Sequence, residues 1–191
     1  MTELDTLLTP ETIVVADASY SSIWVSNYLT ARGVGQRFVT PRGLAGLGWG
    51  LPMAIGAQLA APGRKVVCLV GDGGFAHCWS ELEMLARHRI PVIVVVLNNQ
   101  ILGYQKHGET VGFGEYTDAC EFKPVDHTAI AQACGVAGVR VGQAEEFLPA
   151  LSTALASGKP ALLDVVTDEN AHPPITAFGN ALLSHKNFGD V

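Results

Sequence analysis

The chain has 191 residues, of which 48% are hydrophobic and 16% charged, and its net charge is −6. Such a chain is too apolar to be disordered, and it lacks the clustered Lys and Arg that a phosphate-tracking nucleic-acid surface needs. It is long enough for one compact domain, in which any anionic ligand must be held by backbone dipoles or a metal.

In chain order, Thr12 to Ala16 predicts a short strand, and about Ser21 to Ala31 a helix. The glycine-rich stretch Gly43 to Gly50 leads into a small-residue helix over Leu51 to Ala61. Lys65 to Val70 and Val92 to Leu97 are unbroken apolar runs of strand length, as suits parallel strands covered on both faces. Between them Phe75, Trp79, Leu82 and Leu85 recur at helical spacing, predicting a crossover helix over Ala76 to His88. A helix near Asp126 to Cys134, a strand near Val136 to Val141, a helix over Ala144 to Ser157 and a strand over Ala161 to Val166 follow. Gly158-Lys159-Pro160 stops the last helix. The expected fold is α/β, a doubly wound, mostly parallel sheet with helices on both faces, over residues 1–170; 171–191 reads as an irregular tail.

The four cysteines, Cys68, Cys78, Cys120 and Cys134, show neither C-x-x-C spacing nor a zinc-like pattern with histidine. The acidic N-terminus lacks a signal-peptide layout, and the longest apolar run, Ile90 to Leu97, falls far short of the ~20 residues that span a bilayer. A soluble, reduced, cytoplasmic protein is expected, with no membrane or nucleic-acid partner.

The chemistry-bearing residues are Gly71-Asp72-Gly73-Gly74 and Asn98-Asn99. If their strands are neighbours, Asp72 and Asn99 converge at the ligand-binding edge of the sheet. A carboxylate and an amide oxygen are hard ligands of the kind Mg²⁺ takes. The glycines let backbone N–H groups approach an anion at a helix N-terminus. The plainer reading of Gly-Asp-Gly alone is a tight turn; the asparagine pair after its own strand argues for the metal. No G-x-G-x-x-G follows the first strand, which disfavours a dinucleotide module.

Gly71-Asp72-Gly73, with Asn99 27 residues after Asp72, resembles the signature of thiamine diphosphate enzymes. Gly46-Leu47-Gly48-Trp49-Gly50-Leu51-Pro52-Met53-Ala54-Ile55-Gly56-Ala57 resembles the G-x-G-[FW]-G-L-P-x-A-I-G-A segment of the acetolactate synthase, benzoylformate decarboxylase and pyruvate decarboxylase group. The resemblance, which extends over most of the chain, implies thiamine diphosphate and Mg²⁺ as cofactors. Asp72, the Asn99 side chain and the Ile101 carbonyl would bind the metal, and the Gly73 and Gly74 amides the diphosphate. Leu102 and Gly103, beside the metal loop, and Gly46 and Gly71 would border the cofactor. The family often has Ser where Gly74 stands. Leu47 would be the wedge that bends the cofactor, making proton removal from its C2 intramolecular. The carbonyl of Ala45, a position where many relatives have Gly, would accept from the 4′-amino group.

The resemblance further implies a 2-oxo acid substrate, decarboxylation or carboligation, and an activating glutamate on a pyrimidine-binding domain. No such domain is recognisable in the sequence. The expectation is therefore a catalytic subunit completed by a separate pyrimidine-binding partner in an α2β2 hetero-oligomer, as in the split sulfopyruvate decarboxylases. Met1 and the ordinary sequence after it favour that over an excised domain. The alternatives are a non-catalytic or regulatory subunit, whose mark would be loss of Asp72 or Asn99, and an acyl-CoA lyase, which would need a nucleotide-binding middle domain.

Around Tyr104 and Gly108 the sequence departs from acetolactate synthases, which carry Met and Trp there. Tyr104 and His107 are candidate proton donors, although His107 also reads as a surface residue of a short helix. His77 reads as packing beside the site. His88, His127, His172 and His185 read as helix-end, cap or tail residues, and Trp24, Trp49 and Trp79 as core or interface aromatics.

Overall fold

The computed structural model describes residues 1–175. Their order is α1 (Thr2–Leu7), β1 (Ile13–Ala16), α2 (Tyr20–Tyr28), β2 (Arg37–Val39), α3 (Gly50–Ala60), β3 (Val66–Gly71), α4 (Asp72–Phe75) and α5 (Glu81–His88). Then come β4 (Val92–Asn98), α6 (Gly103–Phe113), a 3₁₀ turn (Asp118–Cys120), α7 (His127–Ala133), β5 (Ala137–Val141), α8 (Ala144–Ser157) and β6 (Ala161–Val166). The strands form one six-stranded sheet in the order β2-β1-β3-β4-β6-β5, every neighbouring pair parallel.

The apolar runs explain the layering. Val66, Cys68, Val70, Val92, Val94 and Val96 point to one face, where α3, Phe75, Leu82 and Leu85 cover them. Val67, Leu69, Ile93, Val95 and Leu163 point to the other, under Leu4 of α1, Val25 of α2 and Phe147 and Leu151 of α8. Each fully buried Val or Leu contributes about 1.5–3 kcal/mol, which is why the central strands tolerate no polar alternation.

Five elements depart from the expectation, one of them α6, an 11-residue helix where only a short one around His107 was expected. α1 and the three-residue edge strand β2 carry too few apolar residues to show in the sequence. α2 ends at Tyr28, because Leu29 is already extended. The single helix expected over Ala76 to His88 is instead α4, a run of tight turns and α5; hydrogen bonds from Cys78 to Phe75, from Glu81 to Cys78 and from Leu82 to Trp79 carry the chain across three-residue steps. Cys78, not Trp79, completes its buried stripe. Of the expected irregular tail, residues 171–175 are described and hold neither helix nor strand; His185 lies outside the described residues.

The chain leaves β1 towards β2 on one side, whereas β3 is followed by β4 on the other. The crossovers therefore diverge between β1 and β3, which places a crevice at the carboxyl ends of these strands. Gly71 pairs with Leu97, so Asp72 and Asn98 leave the sheet at one level.

Just below that level a buried polar cluster braces β4 against β6. Asp164 accepts from the Asn98 amide at 2.8 Å and from Arg140 at 2.8 Å, with His127 Nδ1 at 3.2 Å. Burial alone would raise the Asp164 carboxyl, but the hydrogen bonds of His127 and Asn98 and the charges of His127 and Arg140 outweigh it and hold it below the ordinary range. A depressed carboxylate contributes stability above its unfolded value near 3.9, and that contribution is lost as pH falls through the folded value. Arg140→Ala should therefore cost about 1–3 kcal/mol at pH 7, with a deficit that shrinks towards pH 3. Thermal melting across pH checks this, and a deficit that grows in acid would contradict the assigned role.

Candidate functional site

A cavity of about 980 Å³ opens at the carboxyl ends of β1, β3, β4 and β6. Its walls include Ser19 and Tyr20 after β1, Ala45 and Leu47 of the glycine-rich loop, Gly71 to Gly74 after β3, and Asn99, Ile101, Leu102, Gly103 and Tyr104 after β4. Of the chemistry-bearing and cofactor-bordering residues singled out in the sequence, Gly46, Asn98 and His107 do not line it.

Asp17, which the sequence did not mark, organises the site. It follows β1 and is fully buried, and its carboxylate accepts the backbone N–H groups of Gly48 (2.9 Å), Trp49 (3.1 Å) and Gly50 (3.1 Å). A buried carboxylate survives only when hydrogen-bonded or paired, so these bonds fix the glycine-rich loop over β1. The glycines are needed for close approach. A Cβ on Gly50 would lie 2.9 Å from the Asp17 Cβ, and one on Gly48, at φ +87°, would lie 2.7 Å from the Cβ of His77. Apart from that contact, His77 is exposed.

Asp72 opens α4 and is 6% exposed. Its oxygens accept N–H from Gly73 at 2.9 Å and from Gln100 at 2.6 Å, the second joining the β3 and β4 loops. Burial pushes its carboxyl up to about 6, although those two bonds and the charge of His127 pull it down. A cation beside such a carboxylate would offset the burial.

The β4 loop is held by the segment after the 3₁₀ turn. Leu102 N–H donates to the Cys120 carbonyl and Phe122 N–H to the Gln100 carbonyl, both at 2.8 Å. Ile101 faces Glu121 between these bonds, in an antiparallel bridge. In that register its own N–H and C=O turn the opposite way. The N–H meets Asn99 Oδ1 at 3.4 Å, and no loop hydrogen bond ends on the carbonyl among the described residues. Asn98, the other half of the pair, serves the buried cluster around Asp164 instead.

Among the described residues, three of the four non-glycine positions with positive φ sit on the cavity wall or its loops: Ser19 (65°), Ala45 (52°) and Gln100 (61°). Such conformations cost about 1–3 kcal/mol each and persist where a functional site over-determines them. They also explain why glycine would suit position 45. Among the described residues no group of three or more His, Cys, Asp or Glu side chains could hold a metal; a single carboxylate with amide and carbonyl oxygens is a ligand set of the kind Mg²⁺ takes. No helix among the described residues is long and apolar enough to cross a membrane.

Residues 17–165 match the family model described as thiamine pyrophosphate enzyme, C-terminal TPP binding domain. The chain is 36% identical over 177 residues to the acetolactate synthase large subunit IlvG of Mycobacterium tuberculosis (strain ATCC 25618 / H37Rv), covering 90% of this chain and 31% of that protein. It is 34% identical over 158 residues to the acetolactate synthase isozyme 2 large subunit of Escherichia coli (strain K12), covering 82% and 29%. The solved structure of the Rhodococcus jostii RHA1 thiamine diphosphate-dependent 4-hydroxybenzoylformate decarboxylase superposes with a TM-score of 0.78 at 31% identity, covering 87% of this chain and 31% of that one. The chain spans about three tenths of the length of the curated relatives it matches.

A Cβ on Gly74 would lie 2.2 Å from Asp17 Oδ2, the atom that receives the Gly48 N–H. Gly74→Ser should therefore displace that carboxylate and cost about 2–3 kcal/mol, as overpacking does. At this chain length that lowers Tm by roughly 4–12 °C. A melting point equal to that of the parent would show that Asp17 can move freely.

Proposed function

Because the chain belongs to the thiamine pyrophosphate enzymes, as their C-terminal TPP-binding domain, we propose that it is the diphosphate- and Mg²⁺-binding subunit of a 2-oxo acid decarboxylase or carboligase of acetolactate synthase type. The observation that carries this reading is the convergence of Asp72, Asn99 and Ile101 at one cavity, in loops tied together by the Asp72–Gln100 bond.

The residues fit the cofactor pair. An anionic diphosphate needs backbone N–H groups and space, which Gly71, Gly73 and Gly74 border; nothing lies nearer to a Cβ built on Gly71 than Ser21 Oγ at 3.8 Å. Mg²⁺ needs oxygen ligands, which the Asp72 carboxylate, the Asn99 side chain and the Ile101 carbonyl offer. When bound, thiamine diphosphate supplies the acidic carbon that adds to the oxo group and the sink for the electrons released with CO2. The protein's part is to place it. Leu47, on the cavity wall, would be the wedge that bends it, and the Ala45 carbonyl would accept from its amino group. Gly46 keeps that loop slender, and Leu102 and Gly103 close the metal side, where the Leu102 side chain would touch any Cβ on Gly73 at 2.6 Å. Tyr104 lines the cavity and would face the substrate, whereas His107 reaches the cavity only through Tyr20.

In this reading the activating glutamate comes from a separate pyrimidine-binding subunit, in an α2β2 hetero-oligomer. The rim of the site supports a partner there: Leu44 (103% exposed) and Trp49 (59%) stand on the glycine-rich loop, and Trp79 (42%) on the turn packed against it. Exposed aromatic and aliphatic groups clustered beside a site are what a subunit interface covers. The four cysteines, all unpaired, fit the cytoplasm.

The assembled complex should bind thiamine diphosphate only with Mg²⁺ and release CO2 from a 2-oxo acid; calorimetric titration that finds no cofactor binding would end this reading. Asp72→Ala should abolish Mg²⁺-dependent binding while the melting curve keeps its cooperativity, and undiminished affinity would remove Asp72 from the metal. Leu47→Ala should slow exchange of the cofactor's C2 proton far more than it weakens affinity, as followed by NMR. Equal exchange rates would argue against the wedge.

A further inference from the structure

A decarboxylase of the kind proposed above needs a proton as well as an electron sink. When CO2 leaves a 2-oxo acid, the electron pair of the broken C–C bond must end in a new bond, which in the simplest case is C–H.

Tyr20 is the first residue of α2, lines the cavity and is 7% exposed. Ser19, at φ 65° and ψ −145°, turns the chain there through a region that non-glycine residues avoid. The Tyr20 ring lies so close to Gly103 that a Cβ on that residue would be 3.0 Å from Cε2, and it stands edge-on to Tyr104 at 5.9 Å. The Tyr20 hydroxyl and His107 Nδ1 share a hydrogen bond of 2.6 Å. His107 is half-buried, with the His172 ring 5.4 Å away and Lys106 beside it in α6.

We propose, on the strength of the decarboxylase reading, that Tyr20 is the catalytic proton donor and that His107 is the shuttle that refills it from solvent. The C–C bond to the carboxylate breaks and CO2 leaves; the carbon takes the Tyr20 proton; His107 passes its Nδ1 proton to the Tyr20 oxygen and takes one from water at Nε2, and proton exchange with solvent returns it to the Nδ1 tautomer before the next turnover. The overall change is 2-oxo carboxylate plus proton to aldehyde plus CO2. The tautomers make the shuttle possible, because a neutral imidazole can give from one nitrogen and accept at the other.

The surroundings suit neutral partners. Burial, with Tyr104 adding, raises the Tyr20 phenol, so it keeps its proton at neutral pH. Burial, with His172 and Lys106 adding, lowers His107 to about 4. His107 therefore holds no stored acid at pH 7 and acts as a conduit.

The test uses the complex with its pyrimidine-binding partner, a 2-oxo acid, thiamine diphosphate and Mg²⁺. CO2 release is measured in the presence of ferricyanide, which takes the electrons in place of a proton, and aldehyde release in its absence. Tyr20→Phe should keep cofactor affinity and ferricyanide-dependent CO2 release while aldehyde release falls ~100-fold or more, the usual weight of a general acid. His107→Gln should lower aldehyde release by a smaller factor that imidazole in the buffer partly restores, an effect no packing role would give. Independently of turnover, the chain's NMR spectrum should hold a downfield proton shared by Tyr20 and His107 that Tyr20→Phe removes. Unchanged aldehyde release in Tyr20→Phe, or equal loss in both assays, would overturn the donor role. If the unaltered complex binds no cofactor, the decarboxylase reading has failed before the donor is in question.

Discussion

One buried carboxylate sets the terms for the rest of the site. Asp17 has left β1 at the point where the crossovers diverge, away from water, and the charge it brings must be met by fixed dipoles. Three consecutive backbone N–H groups of the glycine-rich loop meet it. Hydrogen bonds to a charged group contribute about 1.5–3 kcal/mol each, and a missing one costs the desolvation besides. The loop therefore has little freedom, and neither have Ala45 and Leu47, which it carries to the cavity wall.

The same economy of buried charge recurs at the other two loops. Asp72 draws in the Gln100 N–H and couples the loop after β3 to that after β4. Asp164, one layer below, couples β4 to β6 through Asn98. Strands held in register by apolar faces bring the loops near one another; the carboxylates then set their relative positions more finely than packing does. That division of labour suits a site that must present oxygen ligands and N–H groups at set places while its outer rim stays apolar.

What was legible in the sequence was what repeats or what is rare. Continuous runs such as Val92 to Leu97 announced buried parallel strands, and Gly158-Lys159-Pro160 marked the end of α8. Asp72 and Asn99 stood out because each is a polar residue that closely follows such a run. Asp17 follows the strand at Thr12 to Ala16 just as closely but drew no notice, because its partners are backbone groups some thirty residues on, and backbone carries no sequence signature. The contact of Tyr20 with His107, 87 residues apart, is equally silent. Trp79 misled in the other direction, since helical spacing cannot tell that the turns after α4 rotate it outwards and bring Cys78 inwards.

The contact between Gly74 and Asp17 has a consequence for how such sites can diverge. A side chain at position 74 would put its Cβ in volume that the Asp17 carboxylate fills here. Neither change is readily tolerated alone, as one creates a collision and the other strips three N–H groups of their acceptor. The two positions are therefore coupled in this chain, and a side chain at position 74 calls for a compensating shift of the Asp17 carboxylate or of the glycine-rich loop that it holds.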